Sequence, residues 1–74
     1  MTGAELAAIR LRLDDRTQIQ MANLLGVSLI GLKRFETYAR PIPAYIDRSV
    51  RAMELCHKHN LLETLAKQFE KDLQ

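Results

Sequence analysis

Apolar side chains recur every three or four positions along most of the chain, and alternation of apolar with polar residues is never sustained. This spacing collects apolar residues on one face of an α-helix, so the pattern predicts an all-α, compact bundle of five helices. The predicted helices cover about residues 3–13, 18–25, 29–37, 43–59 and 61–73. Their predicted inward positions are Leu6, Ile9, Leu13, Ile19, Ala22, Leu32, Phe35, Ile46, Val50 and Met53, with Met21, Leu25 and Tyr45 beside them.

Short polar residues mark the predicted starts of the first two helices. Thr2 and Glu5 are three positions apart, and so are Thr17 and Gln20. This is the spacing of a capping box, in which the hydroxyl accepts from one backbone amide and the longer side chain accepts from another. Later in the chain, Pro43 suits the first position of the fourth helix, where no amide hydrogen is needed.

The second and third predicted helices are short and are joined by only a few residues. Gly26 follows the second helix, where a left-handed backbone is common, and Ser28 can cap the third. This arrangement is typical of a helix-turn-helix, in which Ala22 must be small at the crossing and Leu32 fixes the third helix to the core. The other face of the third helix then carries Leu29, Ile30, Lys33 and Arg34. A helix with such a face fits the major groove of DNA, about 12 Å wide.

The last predicted helix carries a separate apolar stripe. Its members are Leu62, Leu65, Phe69 and Leu73, widened by Leu61 and Ala66. A helix this short is marginal alone, so the stripe must be buried against something. We expect helix 5, about residues 61–73, to form the dimerisation element through those four residues. The alternative is that the stripe completes the core of its own subunit, and Asn60 either ends helix 4 or caps helix 5.

Composition and charge narrow the class of protein. The chain has 74 residues, 47% of them hydrophobic and 27% charged, which predicts one folded domain spanning 1–74 rather than disorder. The net charge is +2, but residues 10–51 carry eight basic against four acidic residues, and the remainder is slightly acidic. A basic middle favours binding to a polyanion, and an ordinary solvated surface of mixed charge is the alternative.

Cellular location follows from what the sequence lacks. Cys56 is the only cysteine, so a disulfide within the chain is excluded and the free thiol fits a reducing cytosol. No apolar run approaches the roughly 20 residues of a membrane helix, and the first residues lack the regions of a signal peptide. We therefore expect a cytoplasmic protein without a membrane partner, stabilised by oligomerisation.

One run of residues carries a family resemblance. Thr17-Gln18-x-x-x-Ala22-x-x-x-Gly26-Val27-Ser28-x-x-x-Leu32-x-Arg34-Phe35-Glu36, followed by Arg40-Pro41, resembles the Cro/C1 (xenobiotic-response-element) family of phage and bacterial repressors. The resemblance covers about residues 4–55. It implies a lambda-repressor-like five-helix fold and a recognition helix at about 28–37. It also implies a homodimer that binds palindromic operator DNA on the bacterial nucleoid and represses a phage, plasmid or bacterial operon.

The resemblance also implies a set of DNA-contacting residues. They are Thr17, Gln18, Ser28, Leu29, Ile30, Lys33, Arg34, Thr37 and Arg40. Arg34 would read guanine, Lys33 a base or a phosphate, and Leu29 with Ile30 the methyl groups of thymine. Gln18 would contact phosphate and brace the recognition helix, while the other four would touch the sugar–phosphate chain. Glu36 is expected to tether the end of helix 3 internally, because phosphate would repel a carboxylate.

Two positions depart from the family pattern. Tyr38 stands where the family usually has glycine, and a left-handed backbone there would be costly for tyrosine, so the loop after helix 3 is expected to differ. Leu29 and Ile30 stand where polar side chains that read bases are common. Reading of bases through hydrogen bonds therefore depends mainly on Arg34.

Other functions have weaker support in the sequence. Cys56, His57 and His59 are able to bind metals, but one helix offers at most two of them together, so structural and solvated roles are favoured. No phosphate-binding glycine loop or credible acid pair is present, so we expect neither an enzyme nor a cofactor. The second hypothesis for function is a protein-interaction module, such as an antitoxin-like or regulatory subunit. The salt dependence of binding distinguishes DNA binding from protein interaction, because binding to phosphates weakens steeply as the salt concentration rises, whereas an apolar protein interface barely responds.

Overall fold

The computed structural model of the chain describes residues 1–37 and 39–72. The five helices within those ranges are α1 (Gly3–Arg12), α2 (Gln18–Leu25), α3 (Leu29–Glu36), α4 (Ala44–Lys58) and α5 (Leu62–Asp72). No strand occurs in the described ranges. The expected all-α, five-helix architecture is confirmed, and each helix boundary lies within two residues of its predicted position wherever both can be compared.

Local sequence explains where α1 and α2 begin. The Thr2 hydroxyl oxygen accepts from the Glu5 amide at 3.1 Å, and the Glu5 carboxylate accepts from the Thr2 amide at 3.3 Å. At α2 the Thr17 oxygen accepts from the Gln20 amide at 3.1 Å, and the Gln20 side-chain oxygen accepts from the Thr17 amide at 2.9 Å. Both predicted capping boxes are confirmed.

A left-handed residue ends each of α2 and α4. Gly26 has φ +72° and Asn60 has φ +59°. At both ends, the amide of the next residue donates to a carbonyl five positions earlier: that of Ala22 at 3.0 Å and that of Cys56 at 2.7 Å. This pattern is the Schellman motif, which satisfies the last carbonyls of a helix. Of the two roles predicted for Asn60, the structure assigns it the end of α4.

Residues from all five helices form one core. Its buried members are Leu6, Ile9, Leu13, Met21, Ala22, Leu24, Leu32, Phe35, Ile46, Val50, Met53 and Leu62. α3 packs against α1 and α2, α4 packs against the same two helices, and α5 packs mainly against α4. None of the described helices has the combination of length and apolar character needed to cross a bilayer.

Several sequence predictions about packing and boundaries are wrong. Ile19, expected to face inward, is 58% exposed, because Met21, Ala22 and Leu24 occupy the core-facing side of α2. Tyr45, expected beside the core, is 66% exposed, and Leu61, expected to widen the stripe of helix 5, is 53% exposed and precedes α5. Pro43 is the residue before α4 rather than its first helical residue, so α4 starts at Ala44.

A close approach between α1 and α3 fixes the end of α3. A Cβ atom added at Gly3 would lie 2.5 Å from the carbonyl oxygen of Phe35 and 2.6 Å from that of Glu36. Contacts between non-bonded heavy atoms are not tolerated at such distances, so only glycine lets α1 lie this close. The last turn of α3 is therefore held against the first turn of α1.

Candidate nucleic-acid interface

α3 has a buried face and an exposed face. Leu32 and Phe35 are 0% and 4% exposed, and they fix one side of the helix to the core. Each residue turns an α-helix by about 100°, so residues 30, 33, 34 and 37 share the opposite side. The side chains at these positions are all exposed: Ile30, Lys33, Arg34 and Thr37. We call these four residues the exposed face of α3.

Hydrogen bonds at its two ends keep α3 regular. The Ser28 hydroxyl oxygen accepts from the Gly31 amide at 3.0 Å, which confirms Ser28 as the cap of α3. At the other end, the Thr37 hydroxyl donates to the Lys33 carbonyl at 2.9 Å. Leu29 is half-buried at the first turn and lies beside the exposed face rather than on it. Ser28 is itself exposed, so its hydroxyl hydrogen remains able to donate outward.

Glu36 ties the end of α3 to α1 and α2. The Arg10 guanidinium donates to both Glu36 carboxylate oxygens, at 2.9 and 3.1 Å, and the Gln18 side-chain amide donates to one of them at 3.2 Å. A further guanidinium nitrogen of Arg10 donates to the Arg16 carbonyl at 2.7 Å. The Arg10 and Glu36 side chains are only 14% and 6% exposed. The internal role predicted for Glu36 and the bracing role predicted for Gln18 are confirmed as contacts.

Arg10 is the member of this hydrogen-bonded cluster that the sequence pattern did not single out. It supplies three of the four hydrogen bonds described above, yet in the sequence it is one basic residue among eight between positions 10 and 51. The sequence did contain one indication that Arg10 is paired: it directly follows Ile9, which belongs to the apolar stripe of α1. A charged side chain so close to the core requires a partner, but the pattern does not say which one.

Four basic residues in and after α3 have no ion pair with any side chain that the structure describes. Arg10, Arg12, Arg16 and Arg51 pair with Glu36, Glu54, Glu63 and Asp47 respectively. Among the side chains that the structure describes, Lys33, Arg34, Arg40 and Arg48 form no ion pair. We call these four the unpaired basic group. Lys58 and Lys67 are also unpaired, but they lie on α4 and α5 with Glu54, Glu63 and Glu70.

The two acidic residues within residues 33–48 are both engaged elsewhere. Glu36 is held by Arg10, and Asp47 contacts the Arg51 guanidinium and the amino group of Met1. The hydrogen bond from Arg51 lowers the pKa of Asp47, which favours its ionised form and extends the pairing toward acid pH. Its charge therefore offsets Arg51 rather than the unpaired basic group.

Arg40 lies beside α3 although it is outside the helix. Its guanidinium carbon is 5.7 Å from the centre of the Phe35 ring, a cation–π distance. A Cβ atom built at Gly31 would lie 4.0 Å from one of its nitrogens. The chain after α3 thus places the Arg40 guanidinium beside that helix, close to the other predicted site residues.

The remaining predicted DNA contacts lie at the start of α2. Thr17 is exposed and caps that helix, and Gln18 is half-buried next to it. The bond from Gln18 to Glu36 brings the start of α2 to the end of α3. Of the nine predicted residues, eight are therefore exposed, capping or bonded on or beside the α2–α3 pair, and Leu29 is turned aside.

The stripe of α5 has more than one role. Leu62 is 2% exposed within the core of its own chain, so its assignment to a dimer seam is wrong, because almost no surface of it is left for a partner. Leu65 and Phe69 are half-buried and pack on the edge of the core. They line an apolar groove of about 500 Å³, together with Leu24, Leu25 and Met53 among others. Leu73 lies outside the described residues.

The cysteine and histidines near the end of α4 stand apart from this interface. Cys56 is half-buried and lines the α5 groove, and His57 lies 3.7 Å from the Asp14 carboxylate. Within the described part of the chain, no three metal-binding side chains come together. The prediction that the loop after α3 departs from the family pattern concerns Tyr38, which lies outside the described residues.

Comparisons of the chain with protein-family models, with curated proteins and with solved structures find no significant match. The resemblance to the Cro/C1 family thus stays a prediction that rests on the residues quoted for it. Those residues do have defined places: Thr17 and Ser28 cap helices, Gly26 ends α2, and Leu32 is buried.

Proposed function

We propose that this protein is a sequence-specific transcriptional regulator that binds double-stranded DNA as a homodimer and represses its target operon. The observation that supports the proposal is the unpaired basic group. Its two members on α3, Lys33 and Arg34, lie on a helical face that points away from the core. The other two, Arg40 and Arg48, follow within the next turn and helix.

Basic side chains without an ion pair matter here because DNA binding is driven largely by the release of counterions from phosphates, which such side chains replace. A cation already paired with a carboxylate contributes little to this, whereas each unpaired one is available to a phosphate. If Lys33, Arg40 and Arg48 each engage a phosphate, the logarithm of affinity falls with the logarithm of salt with a slope on the order of −3 per subunit. This slope is a measurable signature of the proposed surface.

The proposed contacts divide into two classes. α3 enters the major groove, where Arg34 donates two hydrogen bonds to guanine and Lys33 reaches phosphate. Thr17, Gln18, Ser28, Thr37 and Arg40 meet the sugar–phosphate chain and set the register. In this scheme Glu36 does not touch DNA, and it orients Gln18 and the end of α3. The protein would act in the cytoplasm, on the bacterial nucleoid.

Selection of bound sequences from a random DNA pool tests the proposal. We expect a palindromic consensus with half-sites one helical turn apart, about 34 Å, as the symmetry of a dimer requires. Affinity for that consensus should fall steeply with salt, with the slope given above for each subunit. Failure to enrich any sequence at low salt would contradict the proposal.

A second candidate function is a protein-interaction module. The observation that favours it is the apolar groove between α2, α4 and α5, where Leu65 and Phe69 are half-buried. A protein partner held there would bind through apolar contact, and its affinity would barely respond to salt. The salt titration therefore distinguishes the two functions in one measurement.

A further inference from the structure

Arg16 joins α5 to the loop between α1 and α2. One of its guanidinium nitrogens donates to the Glu63 carboxylate, in the first turn of α5, at 2.6 Å, and the Arg16 side chain is only 14% exposed. Among the described residues, the Nε atom of Arg16 has no hydrogen-bond partner, and Glu63 is the only carboxylate paired with this guanidinium. The charge of Arg16 is largely removed from water, so it depends on Glu63 for compensation.

The residues that follow Arg16 connect the same loop to α2 and α3. Thr17 caps α2, and Gln18 donates to Glu36 at the end of α3. The backbone carbonyl of Arg16 also accepts from Arg10, the residue that holds Glu36. Three successive residues therefore contact α5, the start of α2 and the end of α3. A change in the position of α5 that moves Arg16 is transmitted to α3 by these bonds.

The backbone just before Arg16 has an uncommon conformation. Asp14 and Asp15 have φ +62° and +52°, the left-handed region that is disfavoured for residues with a Cβ atom. Such a conformation persists when contacts on both sides hold it in place. Before the pair, the Asp15 amide donates to the Leu11 carbonyl at 3.0 Å, and after it come the contacts of Arg16. The bond to Glu63 is therefore one of the restraints that fix this loop.

We infer that Arg16 and Glu63 are positioning residues through which α5 sets the geometry of the DNA-contacting parts of α2 and α3. Neither residue touches DNA in this scheme, and the effect on DNA affinity rests on the proposed function. A second subunit or another partner that moves α5 changes the affinity for DNA through this pair. By thermodynamic linkage, DNA then changes the affinity for that partner by the same factor.

Binding of a half-site duplex by two alanine variants tests the inference. Glu63→Ala breaks the pair with Arg16. Glu70→Ala is the matched control, because it removes an equal charge from the same helix at an exposed residue with no ion pair in the described structure. A half-site cut from the selected consensus engages one subunit, so changes in dimerisation do not enter the result. Circular dichroism confirms that each variant is folded.

Overall charge and the positioning role predict opposite effects. Removal of an acidic residue reduces repulsion of phosphate, so Glu70→Ala should bind the half-site as well as the wild type or slightly better. Glu63→Ala should bind it roughly threefold to tenfold more weakly, a usual size for coupling carried through a packed network. Arg16→Met combined with Glu63→Ala should bind no more weakly than Arg16→Met alone, because the two residues act through one contact.

Hydrogen exchange tests the same link without DNA. The Thr37 amide donates to the Lys33 carbonyl at the end of α3, so its exchange rate reports on the opening of that turn. We expect Glu63→Ala to speed exchange at Thr37 by a factor similar to the loss of affinity, and Glu70→Ala to leave it unchanged. Amides in the middle of α4 are the internal reference, because a fold that is merely less stable exchanges faster there as well.

The outcomes separate this inference from the function beneath it. Equal half-site affinities for Glu63→Ala and Glu70→Ala, or exchange at Thr37 that rises only together with exchange in α4, overturn the positioning role while leaving DNA binding intact. Failure to enrich any DNA sequence refutes the proposed function. The exchange comparison then decides by itself whether α5 positions α3.

Discussion

Glu36 accepts hydrogen bonds from two helices at the point where α3 ends. Removing two charges from water costs several kcal/mol each, and their attraction offsets this only when the geometry is good and the remaining donors are satisfied. Arg10 meets both conditions, because it donates to both carboxylate oxygens and to the Arg16 carbonyl. The main effect of such a pair is to fix one geometry, here the direction of α3 relative to α1 and α2.

Glu36→Ala should destabilise the fold strongly. It leaves the Arg10 guanidinium, 14% exposed, without its carboxylate, and breaking a buried pair from one side costs about 3 kcal/mol or more. The matched control is Glu54→Ala at the exposed Arg12–Glu54 pair, where we expect a loss below about 1 kcal/mol. Urea denaturation gives both free energies of unfolding, and equal small losses would contradict this role.

Arg34→Ala should remove sequence preference at one base pair per half-site. A bidentate contact to guanine supplies about 1–3 kcal/mol of discrimination, and alanine cannot replace it. Lys33→Ala should instead weaken binding to all sequences alike and reduce the salt slope. Repeating the selection from a random pool with each variant checks both effects. If the Arg34→Ala variant selected the same consensus as the wild type, the proposed role of Arg34 in reading bases would be contradicted.

Among the elements, helix boundaries were readable from sequence because they depend on neighbours. Thr17 and Gln20 are three positions apart, and Gly26 acts through its own backbone, so both ends of α2 could be predicted. The bond between Arg10 and Glu36 joins residues 26 positions apart, and no single-sequence pattern specifies such a pairing. Ile19 was misplaced for a related reason: in a short helix, several faces are apolar, and only the packing of α3 and α4 against α2 decides which is buried.

Gly26→Ala should destabilise the turn between α2 and α3. Gly26 has φ +72°, and no atom lies within 4 Å of a Cβ built there, so the cost arises from the left-handed backbone alone. We expect a loss of about 1 kcal/mol for alanine, and less for Gly26→Asn, because asparagine tolerates this conformation better. Thermal melting of both variants measures the difference. Equal losses would show that something other than backbone conformation controls the turn.

At the scale of the whole molecule, α5 joins the core at one end and leaves apolar surface at the other. Leu62 is fully packed, while Leu65 and Phe69 border an open groove. In the proposed homodimer this groove and its rim form the subunit contact. The burial of Leu62 could not be read from sequence, because it belongs to the same stripe as Leu65 and Phe69 and has the same chemistry.

Leu65→Asp combined with Phe69→Asp should give a folded monomer. Both side chains are half-buried, so charge there disrupts a contact between subunits more than the core. Leu62→Asp, by contrast, places a charge at a position 2% exposed and should unfold the chain. Sedimentation and far-UV circular dichroism separate these results. A double variant that stays dimeric would exclude the groove as the seam, and one that unfolds would assign the stripe to its own core.

The distribution of paired and unpaired cations also has a kinetic consequence. Lys33, Arg34 and Arg40 lie on or beside α3 without a carboxylate partner among the described side chains, whereas residues 52–74 carry three basic and four acidic residues. If the protein binds DNA as proposed, this uneven distribution of charge would orient it during its approach to DNA, with its positive side first. Such steering raises association rates by about 10- to 1,000-fold at low ionic strength. In the proposed function, the positions of the basic residues that lack a carboxylate partner would therefore determine the association rate as well as the affinity.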